Sequence, residues 1–243
     1  MVEKGLFMYL DLTAPEDKKV TQDNQLIEAC YKMSLNEKRL LLLGISKVNP
    51  KEYSASDGSL KIEVNASEWE RVYKDDTNAW RAIKRTADKL LNRQIIMHPK
   101  AGVTDKVNWF ERVRYYENEA RIEVVFTRFV QTRLVNLLEQ FTTIDLLSIN
   151  KLKSFYSIRL YEILSQFKGT GYRKISVEDF RFAMDTVNKN PETKQLKSRV
   201  LMPALNEINQ KSDLECTVKD VRKGRKITHF EFSFHQKQQQ SLL

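Results

Sequence analysis

Two successive α+β modules, each a run of helices closed by an antiparallel β-hairpin, are the fold that this 243-residue sequence predicts. Three observations lead there. From Gln195 to Phe234 a basic helix ending in Leu205-Asn206-Glu207-Ile208-Asn209 runs into two alternating strands joined by Arg222-Lys223-Gly224-Arg225-Lys226. The order helix, strand, helix, helix, hairpin, read first between Ser34 and Phe126, returns between Leu152 and Phe234. Leu91-Asn92 and Leu205-Asn206 then fall at corresponding places near the ends of two long helices. A helix followed directly by a cationic hairpin is the DNA-gripping half of a winged helix: the helix enters the major groove and the hairpin follows the backbone or the minor groove. Two tandem winged-helix domains, made by duplication of one module without a strict sequence repeat, are the economical reading.

The elements follow in order. Residues 1–19 mix charges with Pro15 and show no period, which predicts a loosely ordered tail. Leu26, Ile27, Cys30 and Tyr31 predict a helix within Val20 to Lys32. Ser34 with Glu37 is a capping box and opens a helix carrying Leu35, Leu40–Leu43 and Ile45, stopped near Pro50. Leu60, Ile62 and Val64 alternate as a strand. Ser67 with Glu70 predicts a second capping box and a short helix through Tyr73, and Asp76 caps a longer helix from Thr77 to about Arg93. Ile95-Ile96-Met97, Val107 to Tyr116 and Arg121 to Phe126 read as strands, with a turn at Glu117-Asn118. Trp109, Phe110, Tyr115 and Tyr116 fit strand alternation better than a base-stacking platform.

The second module starts with an amphipathic helix, Leu152 to Phe167, ended by Gly169 and Gly171. Tyr172 to Ile175 is a strand, and Ser176 with Asp179 caps a short helix through Met184. After a loop near Pro191 a basic helix runs to about Asn209, with Pro203 predicting a kink. Leu214, Cys216 and Val218 alternate on one strand, and Phe230, Phe232 and Phe234 on the next. The division is therefore a tail (1–19), a first winged helix (20–127), a packed helical connector (128–150) with Leu134, Leu137, Leu138 and Phe141, a second winged helix (151–235) and a frayed polar end (236–243).

Composition agrees. The 41 Lys and Arg against 32 Asp and Glu leave a formal charge of +9, which favours polyanionic partners without proving one. Cys30 and Cys216 stand in apolar periodic surroundings, which favours buried, reduced thiols and a reducing cytoplasm. The longest apolar run, Leu40–Leu43, is too short for a bilayer. No catalytic constellation assembles: His98, His229 and His235 have no metal-ligand spacing, and no phosphate-binding glycine loop or GxSxG elbow occurs. The histidine pair of a DNA-nicking enzyme is missing too. No enzyme, metal or cofactor is expected.

The candidate DNA-reading residues lie on the second long helix and its wing. Leu196, Val200, Leu201, Leu205 and Ile208 form the inward stripe of the helix, which leaves Lys194, Lys197, Ser198 and Arg199 clustered on the other side toward its N-terminal part. Arg or Lys to guanine O6/N7 is the commonest specific contact. A solvated charged face is the plainer alternative. Arg222, Lys223, Arg225 and Lys226 place four cations around one glycine, more than edge protection requires. His229 follows on the next strand, where it could touch DNA or be an ordinary half-buried histidine. In the first module Arg81, Lys84 and Arg85, with Lys89, lie opposite Trp80, Ile83, Ala87 and Leu90; their spacing with Asp88 equally fits an exposed face of mixed charge.

Taken together these residues resemble the replication initiators of iteron-containing bacterial plasmids, the family that includes the F-plasmid initiator. The likeness rests on Asn24-Gln25-Leu26-Ile27 leading to Met33 through Leu40, on Phe141-Thr142 before Tyr156-Ser157-Ile158-Arg159-Leu160-Tyr161-Glu162-Ile163-Leu164, and on Leu205 to Asn209 followed by Lys223 to Phe234. Lys197 and Arg199 match basic positions of the family's second recognition helix, while Ser198 stands where some relatives carry arginine. The resemblance implies binding of double-stranded DNA: monomers on directly repeated origin sequences (iterons), and dimers, joined through the first winged helix, on an inverted repeat as autorepressors. Host initiator, replicative helicase and chaperones are the implied partners. A winged-helix transcriptional regulator without a replication role is the alternative, and an origin-nicking enzyme a more distant one.

Overall fold

The computed structural model describes residues 18–49, 58–74, 78–98, 100–135, 137, 140–189 and 192–237. Expectations placed on residues 1–17, Pro50, Asp76, Thr77, Leu138, Pro191 and residues 238–243 lie outside the described residues.

The spacing from Val20 to Lys32 predicts one helix, and the structure divides it. Lys19–Asp23 is strand β1, with Val20 and Gln22 buried, and only Asn24–Glu28 is helical (α1), capped by the Asp23 carboxylate on the Gln25 N–H at 2.6 Å. Lys18 and Lys19 are therefore placed rather than part of a loose tail; Lys18 is buried against Glu68. The capping box at Ser34 is present in full and opens α2, Leu35–Ile45. β2, Lys61–Asn65, leads into α3, Ala66–Tyr73, but Asn65 and not Ser67 caps it: the Asn65 side chain accepts from the Glu68 N–H. Asn78 caps the next helix, α4 (Ala79–Leu91), by accepting from the Arg81 N–H. The run Val107 to Tyr116 breaks at buried Trp109, so that β4, Asp105–Asn108, pairs with β3, Gln94–Met97, while β5, Phe110–Tyr116, joins β6, Arg121–Phe126.

The expected helical connector contains α5, Arg128–Val135, strand β7, Phe141–Asp145, and α6, Leu146–Ile149. Leu134 is buried as expected, whereas Phe141 is 46% exposed. β7 pairs with β1 in a symmetric antiparallel register centred on Thr21 and Thr143, whose hydroxyls lie 2.9 Å apart. Each of these strands ends in an aspartate that caps a short helix, Asp23 for α1 and Asp145 for α6. The repeat thus begins earlier than the sequence pattern shows.

The second module continues with α7, Phe155–Ser165, capped by Ser154. It is not amphipathic: every residue from Ser157 to Ser165 is buried, including Arg159 and Glu162, so the helix runs through the centre of the molecule. β8, Tyr172–Ser176, precedes α8, Val177–Ala183, where Ser176 accepts from the Asp179 N–H; its own hydroxyl donates to the Asp179 carboxylate, so the reciprocal backbone bond of a capping box is replaced. Gly171 (φ +64°) stands just before this strand, at a place that needs glycine because a Cβ there would come within 2.6 Å of the Phe234 carbonyl oxygen. The last helix has three parts: α9, Thr193–Leu196, a π turn, Lys197–Leu201, and α10, Met202–Lys211. The Met202 N–H reaches the Lys197 carbonyl, and Pro203 has no N–H to continue the ordinary ladder, so the disturbance predicted as a kink at Pro203 takes the form of a π turn just before it. Strands β9, Leu214–Lys223, and β10, Lys226–Gln236, complete the hairpin. Gln236 and Lys237 are not frayed: they bond Asp213 and the carbonyls of Asn209 and Ser212.

Among the described residues the two modules build sheets with the same strand order, β2-β6-β5 and β8-β10-β9. Each hairpin carries one register shift, between Phe110 and Arg112 and between Ile227 and His229. This is a pair of tandem winged helices. The modules share one core: their buried residues form a continuous apolar cluster from Val20 to Phe234. Inside it, Arg159 donates to Tyr31 Oη, Glu162 and the carbonyls of Ile27, Ala29 and Ala183, while Lys38 donates to Glu162 (2.7 Å) and Tyr31 (2.8 Å). Burial, and after it Arg159, pushes the Lys38 ammonium down to about 8. Burial would raise the Glu162 carboxyl, but Lys38 and Arg159 hold it below the usual carboxylate range.

Candidate nucleic-acid interface

The cationic candidates of the second module come together on two neighbouring elements. The inward stripe of the last helix is buried as expected: Leu196, Val200, Leu201, Leu205 and Ile208. That orientation leaves Lys194, Ser198 and Arg199 exposed on the outer side. Ser198 Oγ donates back to the Gln195 carbonyl at 3.3 Å, which folds the hydroxyl onto its own helix. Arg199 lies inside the π turn, a local rearrangement often found where a helix carries function.

The wing is a two-residue hairpin loop. Lys223 pairs with Lys226, and Gly224 takes φ +60° at the first central position, the arrangement of a type II′ turn. Arg222, Lys223, Arg225 and Lys226 are all exposed there. His229 is placed differently. It is half-buried beyond the register shift, 3.0 Å from the Thr228 hydroxyl, and lines a cleft of about 1210 Å³ that also includes His98, Arg133, Arg173 and Arg181. The structure therefore separates His229 from the tip of the wing.

Helix and wing are joined by a residue that the sequence reading passed over. Asp220 on β9 accepts from Lys197 Nζ at 2.6 Å and from Arg222 Nη2 at 3.4 Å. The signal that could have found it is the alternation Leu214, Cys216, Val218, Asp220: the core-facing register of β9 runs on until it places a carboxylate beside the helix.

A similar tie occurs in the first module. Arg81, Arg85 and Lys89 are exposed along α4, but Lys84 reaches Glu117 at the tip of the β5–β6 hairpin, at 2.9 and 3.1 Å, and the Trp80 indole N–H donates to the same carboxylate at 3.1 Å. Those hydrogen bonds, Lys84 first, hold the Glu117 carboxyl below its ordinary value. The first wing is also self-neutralised. Arg112 and Arg114 face Glu123, and Arg121 bonds Glu63 and Glu119. The two hairpins thus share a topology and differ in charge: exposed Arg112 and Arg114 of the first face a carboxylate, whereas Lys223, Arg225 and Lys226 crowd the tip of the second.

Residues 19–165 match the family described as "Initiator Replication protein, WH1", and residues 176–234 match "Initiator Rep protein, WH2". The chain belongs to this family of replication initiators. Within its reach lies an uncharacterized 27.6 kDa protein of Escherichia coli, 29% identical over 211 residues that cover 81% of this chain and 87% of that protein. A replication initiation protein of Escherichia coli is 21% identical over 206 residues; the match takes in 82% of this chain and 64% of that longer protein. Among solved structures, the crystal structure of Pi initiator protein in complex with iteron DNA has a TM-score of 0.74 at 21% identity, covering 92% of this chain and 99% of that one. That likeness supports the fold seen here, a pair of tandem winged helices.

Among the described residues no group of three or more His, Cys, Asp or Glu could hold a metal ion, and no helix is long and apolar enough to cross a membrane. Both cysteines are buried thiols.

Proposed function

We propose that this initiator starts plasmid replication by binding directly repeated origin sequences as a monomer, without chemistry of its own on DNA. The observation that carries this reading is the second module's exposed cation set. Arg199 on the π turn and Lys223, Arg225 and Lys226 at the wing tip flank a helix already joined to its wing through Lys197 and Asp220. Lys194, Ser198 and Arg222 complete that surface, Arg81, Lys84 and Arg85 contribute a weaker one on α4, and His229 stands at its margin. Backbone contacts from the wing supply affinity, and helix side chains supply sequence discrimination. The Pi initiator, described in complex with iteron DNA, shares the fold and supports the same class of ligand.

In this reading residues 20–127 and 151–235 are the two functional units, with 128–150 between them. A dimer formed through the first unit represses the protein's own promoter, and host initiator, replicative helicase and chaperones are its cytoplasmic partners. The test is footprinting on the native plasmid combined with sedimentation of the complexes. Protection of several direct repeats by monomers, and of an inverted repeat by dimers, is expected. Protection of the promoter alone would reduce the protein to a transcriptional regulator. Conversion of supercoiled plasmid to nicked circles in magnesium would overturn the non-enzymatic reading.

A further inference from the structure

A carboxylate in the middle of a DNA-gripping surface is a cost, since it repels phosphate. Asp220 stands in that position. It sits on β9 between Lys219 and the wing cations, opposite buried Phe230 of β10, with its side chain only 18% exposed. Both oxygens are engaged, Oδ1 by Lys197 and Oδ2 by Arg222. The strand register explains how it gets there, because Asp220 and Arg222 continue the face that Leu214 and Cys216 bury under α10. A wing built only for affinity would carry a neutral residue at this place.

We propose that Asp220 is a positioning residue that sets sequence discrimination by holding Lys197 and Arg222 back from random phosphates. The inference rests on the DNA-binding reading above and deepens it. The carboxylate does two things. It fixes the long Lys197 chain against the hairpin stem, so the ammonium meets DNA from one direction. It also cancels charge on two cations that would otherwise bind any duplex. On arbitrary DNA each cation released to a phosphate strengthens binding by about fivefold near 0.15 M salt, whereas on the selected duplex Lys197 already meets DNA in the direction that Asp220 fixes and gains little by release. Asp220 subtracts that sequence-blind gain while leaving Arg199 and the wing tip available.

The experiment compares two duplexes of equal length: one that the wild-type protein selects from a random-sequence pool, and one of arbitrary sequence. Affinities are measured across salt for wild type, Asp220→Asn, Lys197→Gln and the double variant, with unfolding temperature recorded for each. Asp220→Asn is expected to bind the arbitrary duplex about five- to tenfold tighter, with a steeper salt dependence. It should bind the selected duplex less than about threefold tighter, so the ratio between the two falls. In the Lys197→Gln background the same change should move the ratio much less. Equal shifts on both duplexes, or no shift, would overturn the proposal. So would a loss on both that follows the unfolding temperature. If Asp220→Asn folds poorly, Asp220→Ser takes its place and must lower the ratio in the same way, while Asp220→Glu, which keeps the charge, must keep the wild-type ratio. A wild-type protein that selects no sequence from the pool would sink the DNA-reading function itself. One that selects a sequence with a ratio unmoved in Asp220→Asn sinks only the role given to Asp220.

Discussion

Arg39 and Arg159 occupy the fifth position of two eleven-residue helices, and each guanidinium ends on the backbone of the other repeat. Arg39 donates to the carbonyls of Asn150 and Leu152, just after α6; Arg159 donates to those of Ile27 and Ala29, at the end of α1. Carbonyls at a helix end lack intrahelical donors, and a cation there satisfies both their hydrogen bonds and the local dipole. The exchange ties the modules together at two equivalent places and explains why Arg159 is fully buried.

Replacing Arg159 with Met should destabilise the protein by about 3–5 kcal/mol, because buried Glu162 and three carbonyls lose a donor. Arg39→Met should also destabilise, by about 1–3 kcal/mol, because the carbonyls of Asn150 and Leu152 lose a donor and the Tyr73 ring loses the guanidinium over it. Urea unfolding measures both, and a change below about 1 kcal/mol for Arg159 would contradict the role assigned to it.

Lys38 carries a pH signature. Its folded value near 8 lies below the 10.5 of an ordinary lysine, so between these values the unfolded chain binds more protons than the folded one. Unfolding free energy should therefore rise through this group from pH 8 toward pH 10. Tyr31 and Tyr73, both raised chiefly by burial, oppose unfolding less only above pH 10. In Lys38→Met the rise should vanish; an identical pH profile for the two proteins would exclude the assignment.

Arg199→Ala should weaken binding to a selected duplex by about 1–3 kcal/mol and leave arbitrary DNA little changed. Equal losses on both would make Arg199 a phosphate contact.

Joint replacement of Lys223 and Arg225 with Gln should lower affinity on every duplex and reduce the slope of log K against log salt by about 2. A slope that does not move would mean that the wing tip never meets the backbone.

The thiols should be inert in the folded protein. Burial, with Asp185 nearby, pushes Cys30 up to about 11, and burial pushes Cys216 up to about 12. A thiol reagent at pH 8 should label neither until the chain unfolds; rapid labelling of one would show that its surroundings open locally.

What the sequence determined by itself are features written in local patterns. Period-two runs marked β2 and the β9–β10 hairpin, the Ser34 box marked α2, and the crowd of cations around Gly224 marked the second wing. Local geometry suffices for each of these, since backbone period and cap chemistry act over a few residues. Other features were decided by partners more than a hundred positions away. β1 is a strand because β7 lies beside it, α7 is buried all round because Lys38, Tyr31 and Gln22 satisfy its charges, and the two modules share one core. Lys197 belongs with Asp220 because the fold lays the strand under the helix, and Lys84 with Glu117 for the same reason. A short sequence window shows which residues can be charged, buried or paired; only the folded chain brings to each charge the group that neutralises it.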